Sequence, residues 1–184
     1  SLPVLGPRLA RHGILTPVPI VLGRPGATFP WPWSVVPWIH GSRALGEPRA
    51  DHAPWAGELA QALMALHEPA PADAPVNPVR GVPLSCRDEV MQERLAALPH
   101  RSALRDAWSS GLAAPLSTER VWIHGDLHPG NVIVSDGSLT ALIDFGDGTG
   151  GDPAYDLAVA WLLFDASGRA RFRIATGGRY DEAT

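Results

Sequence analysis

The chain has 184 residues, 45% of them hydrophobic, with a formal net charge of −4 and one cysteine, Cys86. That is long and apolar enough for one well-buried domain, and it excludes wholesale disorder. The charge leaves no global electrostatic case for nucleic acid or an anionic membrane, and a single cysteine excludes an internal disulfide framework.

Gly and Pro, at 19 each, predict many turns. No apolar run approaches membrane-span length and the N-terminus has no charged-then-apolar signal pattern, so a cytoplasmic enzyme is expected. All fifteen basic residues are Arg. The absence of Lys is either compositional bias or a sign that a Lys-bearing segment lies outside this chain.

Residues 1–30 are rich in Pro and Gly, with a strand expected at 18–22, interrupted by Pro19, before the turn signal Gly23-Arg24-Pro25-Gly26. Residues 33–39 read as a second β-rich segment, in which Pro37 is unsuited to a central strand, running into a linker near His40-Gly41. Residues 54–67 predict an amphipathic helix: Leu59, Leu63 and Leu66 recur at helical spacing, Ala60 and Met64 widen the stripe, and Pro69 ends it. Residues 68–86 are a Pro-rich excursion longer than a plain connection. Helices are expected at 87–98 and 101–113, separated by Pro99.

Short apolar strands follow at 120–124, 131–135 and 139–143, and the last two flank Asp136-Gly137, a hairpin turn. A final helix is expected at 153–164, with Asp152 as N-cap and Pro153 at its first position. Residues 165–184 carry no strong pattern.

The loop before the hairpin reads His124-Gly125-Asp126-Leu127-His128-Pro129-Gly130-Asn131. Asp-x4-Asn is the spacing of a kinase catalytic loop, in which the Asp takes the substrate hydroxyl proton and the Asn holds magnesium. Phosphoryl transfer needs an acceptor-only group beside the nucleophile and oxygen ligands for a hard cation that bridges phosphates. Asp144-Phe145-Gly146 after the hairpin supplies a second magnesium carboxylate, and the hairpin brings Asn131 and Asp144 to adjacent strand ends.

HGDLHPGNVIV followed by IDFGDGTGGDPAYDLA resembles the aminoglycoside phosphotransferase family of kinase-like enzymes. The stretch PGATFPWPWSVVPWIHG resembles the region leading into that family's inter-lobe hinge. The resemblance implies an α+β, protein-kinase-like large lobe, mostly helical, whose short β-hairpin carries the active site, plus the last strands of the small lobe. It divides the chain into residues 1–41, a small-lobe remnant with the hinge, and residues 42–184, a catalytic lobe that is C-terminally incomplete. It implies transfer of phosphate from ATP, with Mg2+, to a hydroxyl of a small molecule such as an aminoglycoside, another sugar or an amino-alcohol, and neither nucleic-acid nor membrane partners.

By that match Asp126 is the catalytic base, Asn131 and Asp144 hold magnesium, and Asp156 braces the catalytic loop through its backbone. His124 packs under the loop, and Trp38 and Ile39 line the adenine site. The family's phosphate-covering glycine loop and its Lys have no counterpart here, so the chain reads as a fragment with little kinase activity by itself. Two other readings stand beside this one. One is a nucleotide-binding module without catalysis. The other is a zinc-dependent hydrolase using His124, Asp126 and His128, which alternate as strand-borne ligands would.

Several residues keep two readings. Asp152 is a helix cap or a functional brace, and Asp147 is a solvated carboxylate or part of magnesium's outer shell. The segment 77–87 is a substrate loop or a mere connection. Trp31, Trp33 and Trp38 are expected to pack in the core or between lobes.

Overall fold

The structure, a computed structural model, describes residues 2–115 and 119–180. Its first element is unexpected: α1 (Leu2–Ala10) turns Leu5 and Leu9 into the core even though Pro7 lies inside it. Leu2, Leu5 and Leu9 sit at helical spacing, a signal obscured by the surrounding Pro and Gly.

β1 (Val21–Gly23) and β2 (Trp33–Val35) then form an antiparallel ribbon with Gly23 opposite Trp33. A side chain at Gly23 would overlap the Trp33 indole. The expected strand at 18–22 thus begins later and the ribbon is exposed. Trp31 and Trp38, expected in packed positions, are 66% and 84% exposed, and Trp33 is exposed as well. No core hydrophobic lies between Ile14 and Ala44.

β3 (Ser42–Arg43) and a 3-10 segment, Arg49–Trp55, lead into α2 (Ala56–Leu66). The predicted stripe Leu59, Ala60, Leu63 and Leu66 is fully buried, packed on α1 and, through a later helix, on the C-terminal part of the chain. α3 (Asp88–Ala97) and α4 (Ser102–Ala113) form where expected, but only Leu95 of the two is buried.

The central strands are β4 (Val121–Ile123), β5 (Val132–Ser135), β6 (Ser138–Leu142) and β7 (Thr149–Gly151). β5 and β6 form the expected hairpin around Asp136 (φ 52°) and Gly137 (φ 75°), positive at both turn positions. β3 adds to it, giving the order β3-β5-β6. β4 stands outside this sheet and pairs antiparallel with β7, a strand hidden in Thr-Gly-Gly, whose two glycines are poor strand formers.

The predicted helix 153–164 is two short helices, α5 (Ala154–Leu157) and α6 (Val159–Leu163), joined at Ala158, whose own backbone stays helical. The patternless tail contains α7 (Ala166–Ala175), started by Asp165, whose carboxylate accepts from Gly168 N–H at 2.8 Å. Phe172 of α7 packs on Phe164, which packs edge-on to Trp55, so α7 closes the core over α2. The fold class is α+β and mostly helical, as expected. No described helix is long and apolar enough to cross a membrane.

Candidate active site

β4 delivers the chain into the loop 124–131 at full burial. Beneath the loop lies the fully buried Asp156 of α5. Its Oδ2 accepts from His124 N–H at 2.7 Å and its Oδ1 from Gly125 N–H at 3.0 Å. His67, just past α2, approaches Oδ2 with Nε2 at 3.2 Å, and Tyr180 lies 3.0 Å from His67 Nδ1. A tyrosine O–H donating to Nδ1 leaves Nε2–H to donate to the carboxylate. Burial penalises the Asp156 charge most, yet the hydrogen bond from His67 and the backbone hydrogen bond from His124 help to outweigh it, and the carboxyl is held below its ordinary value. Burial likewise pushes the Tyr180 hydroxyl up to about 12.

The loop's curvature follows from Gly125, at φ 81°, where a Cβ would sit 2.5 Å from the Asp147 carbonyl oxygen. His124 is fully buried. Its Nε2–H donates to Ile143 O at 2.8 Å, Asp126 N–H points at its Nδ1 at 3.3 Å, and its ring lies on Phe145. Both ring nitrogens are therefore committed. His128 Nδ1 accepts from Gly130 N–H at 3.0 Å. No group of three His, Cys, Asp or Glu suited to a metal occurs among the described residues, so the zinc arrangement does not form there.

Asn131 is buried, donates from Nδ2 to Asp126 O at 2.9 Å, and accepts from Ile143 N–H through its own carbonyl at 3.0 Å. This leaves Oδ1 of Asn131 without a hydrogen bond among the described residues, beside the strand that leads to Asp144. Asp144 has a left-handed backbone (φ 62°, ψ 62°), is exposed, and makes no side-chain hydrogen bond among the described residues. The amide oxygen and this carboxylate are hard donors, too few for a protein-only cage. That suits magnesium, which keeps waters and phosphate oxygens in its shell.

Asp126 lines a cavity of about 1080 Å³ together with Leu84, His128, Asp152 and Tyr155. Trp38 and Ile39 do not line this cavity; Trp38 is exposed and Ile39 half-buried on the segment after β2. Asp152 lies one residue before Pro153, the N-cap of α5, rather than at the N-cap expected, and its Oδ1 accepts from Ala154 N–H at 2.9 Å.

Sequence reasoning did not single out every member of the site. Arg80, on the Pro-rich excursion, places Nη2 2.8 Å from Asp126 Oδ1 and Nε 3.0 Å from Asp147 Oδ2, and donates from Nη1 to Tyr155 Oη at 2.8 Å. The hydrogen bond to Tyr155 is the main reason its guanidinium is held above its ordinary pKa. Asp147, expected to be solvated or near magnesium, instead binds Arg80 and Asn77. No spacing rule points to Arg80, because these partners lie 67 and 75 residues further along.

A model of the phosphotransferase enzyme family, APH, matches residues 5–184. No curated protein matches the chain. Among solved structures it is similar to the GDP complex of wild-type aminoglycoside 2'-phosphotransferase-IIIa (21% identity, 97% of this chain and 64% of that one, TM-score 0.69). It is also similar to the macrolide 2'-phosphotransferase MphH of Brachybacterium faecium (23% identity, 97% and 64%, TM-score 0.62). A third is the GDP and kanamycin complex of APH(2")-IIia (21% identity, 97% and 65%, TM-score 0.66). The chain thus spans slightly less than two thirds of these proteins' length.

Proposed function

The chain belongs to the phosphotransferase enzyme family, and from that premise we propose that it carries the base and the magnesium-binding half of a site that moves the γ-phosphoryl group of ATP to a hydroxyl of a small molecule. The observation that carries this reading is one juxtaposition. Asp126 opens onto the large cavity, while its loop ends in Asn131, hydrogen-bonded through its carbonyl to the residue before Asp144.

The acceptor is an aminoglycoside-like sugar or another amino-alcohol. Its hydroxyl enters the cavity and donates to Asp126. As the new O–P bond forms, the proton passes to the Asp126 carboxylate, the bond to the β–γ bridging oxygen breaks, and nucleoside diphosphate leaves. Asn131 Oδ1 and the Asp144 carboxylate hold the magnesium ion, which when bound neutralises charge on the phosphate oxygens. Asp156 and His124 keep the loop's shape from beneath. Trp38 and Ile39 lie on the segment after β2 and line the adenine site through backbone groups.

The test is a screen of the full-length protein against hydroxyl acceptors, kanamycin and a macrolide among them, with ATP and GTP as donors. A phosphorylated acceptor that appears only with divalent cation supports the reading. Nucleotide binding with no transfer to any acceptor favours the non-catalytic module.

A further inference from the structure

We infer that Arg80 is the positioning residue of Asp126, fixing which carboxylate oxygen receives the acceptor's proton. This rests on the reading of Asp126 as the base. A guanidinium is a planar fork whose donors have fixed directions. Here its three nitrogens each take a partner from a different segment: Asp126 in the catalytic loop, Asp147 after Asp144-Phe145-Gly146, and Tyr155 in α5. The side chain is therefore held by three directions at once, and Asp126 Oδ1 is held with it. Oδ2 makes no hydrogen bond among the described residues; His128 Nε2, at 3.8 Å, is too far. One oxygen is tied and the other stays available to the cavity.

The backbone under Arg80 is fixed as firmly as its head. Asn77 Oδ1 accepts from Val79 and Arg80 N–H at 3.0 and 3.2 Å, and Asn77 Nδ2 donates to Asp147 at 3.0 Å. Asn77 N–H donates to Thr149 Oγ1 at 3.1 Å, and Thr149 in turn donates to Pro75 O. On the far side, Gly81 O accepts from Asp152 N–H at 3.1 Å. Gly81 has φ 60°, and a Cβ there would overlap Ile123 and lie 3.1 Å from Gly151 Cα. Glycine is required at that close crossing with β4 and β7. The segment is thus anchored on both sides of Arg80, so the excursion serves the site rather than merely connecting helices.

A purely structural Arg80 would staple residues 75–81, through Asp147, to the turn that precedes β7 and owe nothing to Asp126. The two roles separate in a double-mutant comparison on the full-length protein, with turnover read both as transfer to an acceptor and as phosphate release from MgATP alone. Arg80→Gln should lower kcat about ten- to a hundredfold, the scale of a misplaced reacting group, with the nucleotide KM unchanged. The double variant with Asp126→Asn should be no slower than Asp126→Asn alone, and Arg80→Lys should recover part of the rate. A wild-type kcat in Arg80→Gln, or a double variant slower by the product of the single effects, overturns the inference. If Arg80→Gln does not fold, Arg80→Lys carries the test: an intermediate kcat at unchanged nucleotide KM supports it, and a wild-type kcat overturns it. Full activity in Asp126→Asn, or no turnover in the wild type, instead removes the reading of the base, a separate failure.

Discussion

Asp156 is a carboxylate without solvent access that accepts from two successive backbone N–H groups and a histidine ring. Removing its charge leaves those donors facing a poorer acceptor. Asp156→Ala should cost about 3 kcal/mol by analogy with other broken buried networks, measured by urea denaturation. Its pH signature follows from the depressed folded value. The stability it contributes is complete above the unfolded aspartate pKa of about 3.9 and is lost as pH falls through the lower folded value. Denaturation midpoints from pH 7 to 3 should therefore fall less steeply at the acid end in Asp156→Ala than in the wild type. Tyr180 gives the opposite edge. Its pKa of about 12 means stability present below about pH 10 and lost as pH rises toward 12. Phenolate absorbance should show one tyrosine titrating late, and Tyr180→Phe should abolish that component.

The loop 124–131, the hairpin and α2 are elements whose instructions are local. Asp-x4-Asn, Asp136-Gly137 and the leucine stripe each act within a few residues, which is why they are legible from sequence. β7 was not legible, since Thr149-Gly150-Gly151 exists as a strand only because β4 lies beside it and glycine admits the crossing excursion. Likewise α7 owes its place to packing over α2, with Asp165 as its one readable start signal. Arg80, Asn77 and His67 were missed for a common reason: each acts on a partner from a distant segment. The exposed tryptophans, Trp31, Trp33 and Trp38, show the converse: nothing local in the sequence says whether an apolar residue will be covered. At this scale Gly125→Ala is the sharpest probe. The strained φ and the approach to Asp147 O should destabilise the fold by about 1–3 kcal/mol, seen in urea denaturation, and lower activity more than that loss explains.

Across the whole molecule, the two magnesium candidates, Asn131 and Asp144, lie at neighbouring ends of one hairpin, while the candidate base faces the cavity. Nucleotide binding and proton transfer should therefore separate by mutation. Asp144→Ala should weaken magnesium-dependent nucleotide binding, read as loss of the thermal stabilisation that ligand in excess confers, about 2.7 kcal/mol at a hundredfold over Kd. Asp126→Asn should leave that stabilisation in place. The most direct measurement of the central claim is kcat for phosphoryl transfer by full-length wild type and Asp126→Asn, with magnesium-nucleotide affinity measured on the same samples. A general base predicts a fall of about 10²–10⁴-fold at unchanged affinity. Transfer at the wild-type rate in Asp126→Asn would contradict it.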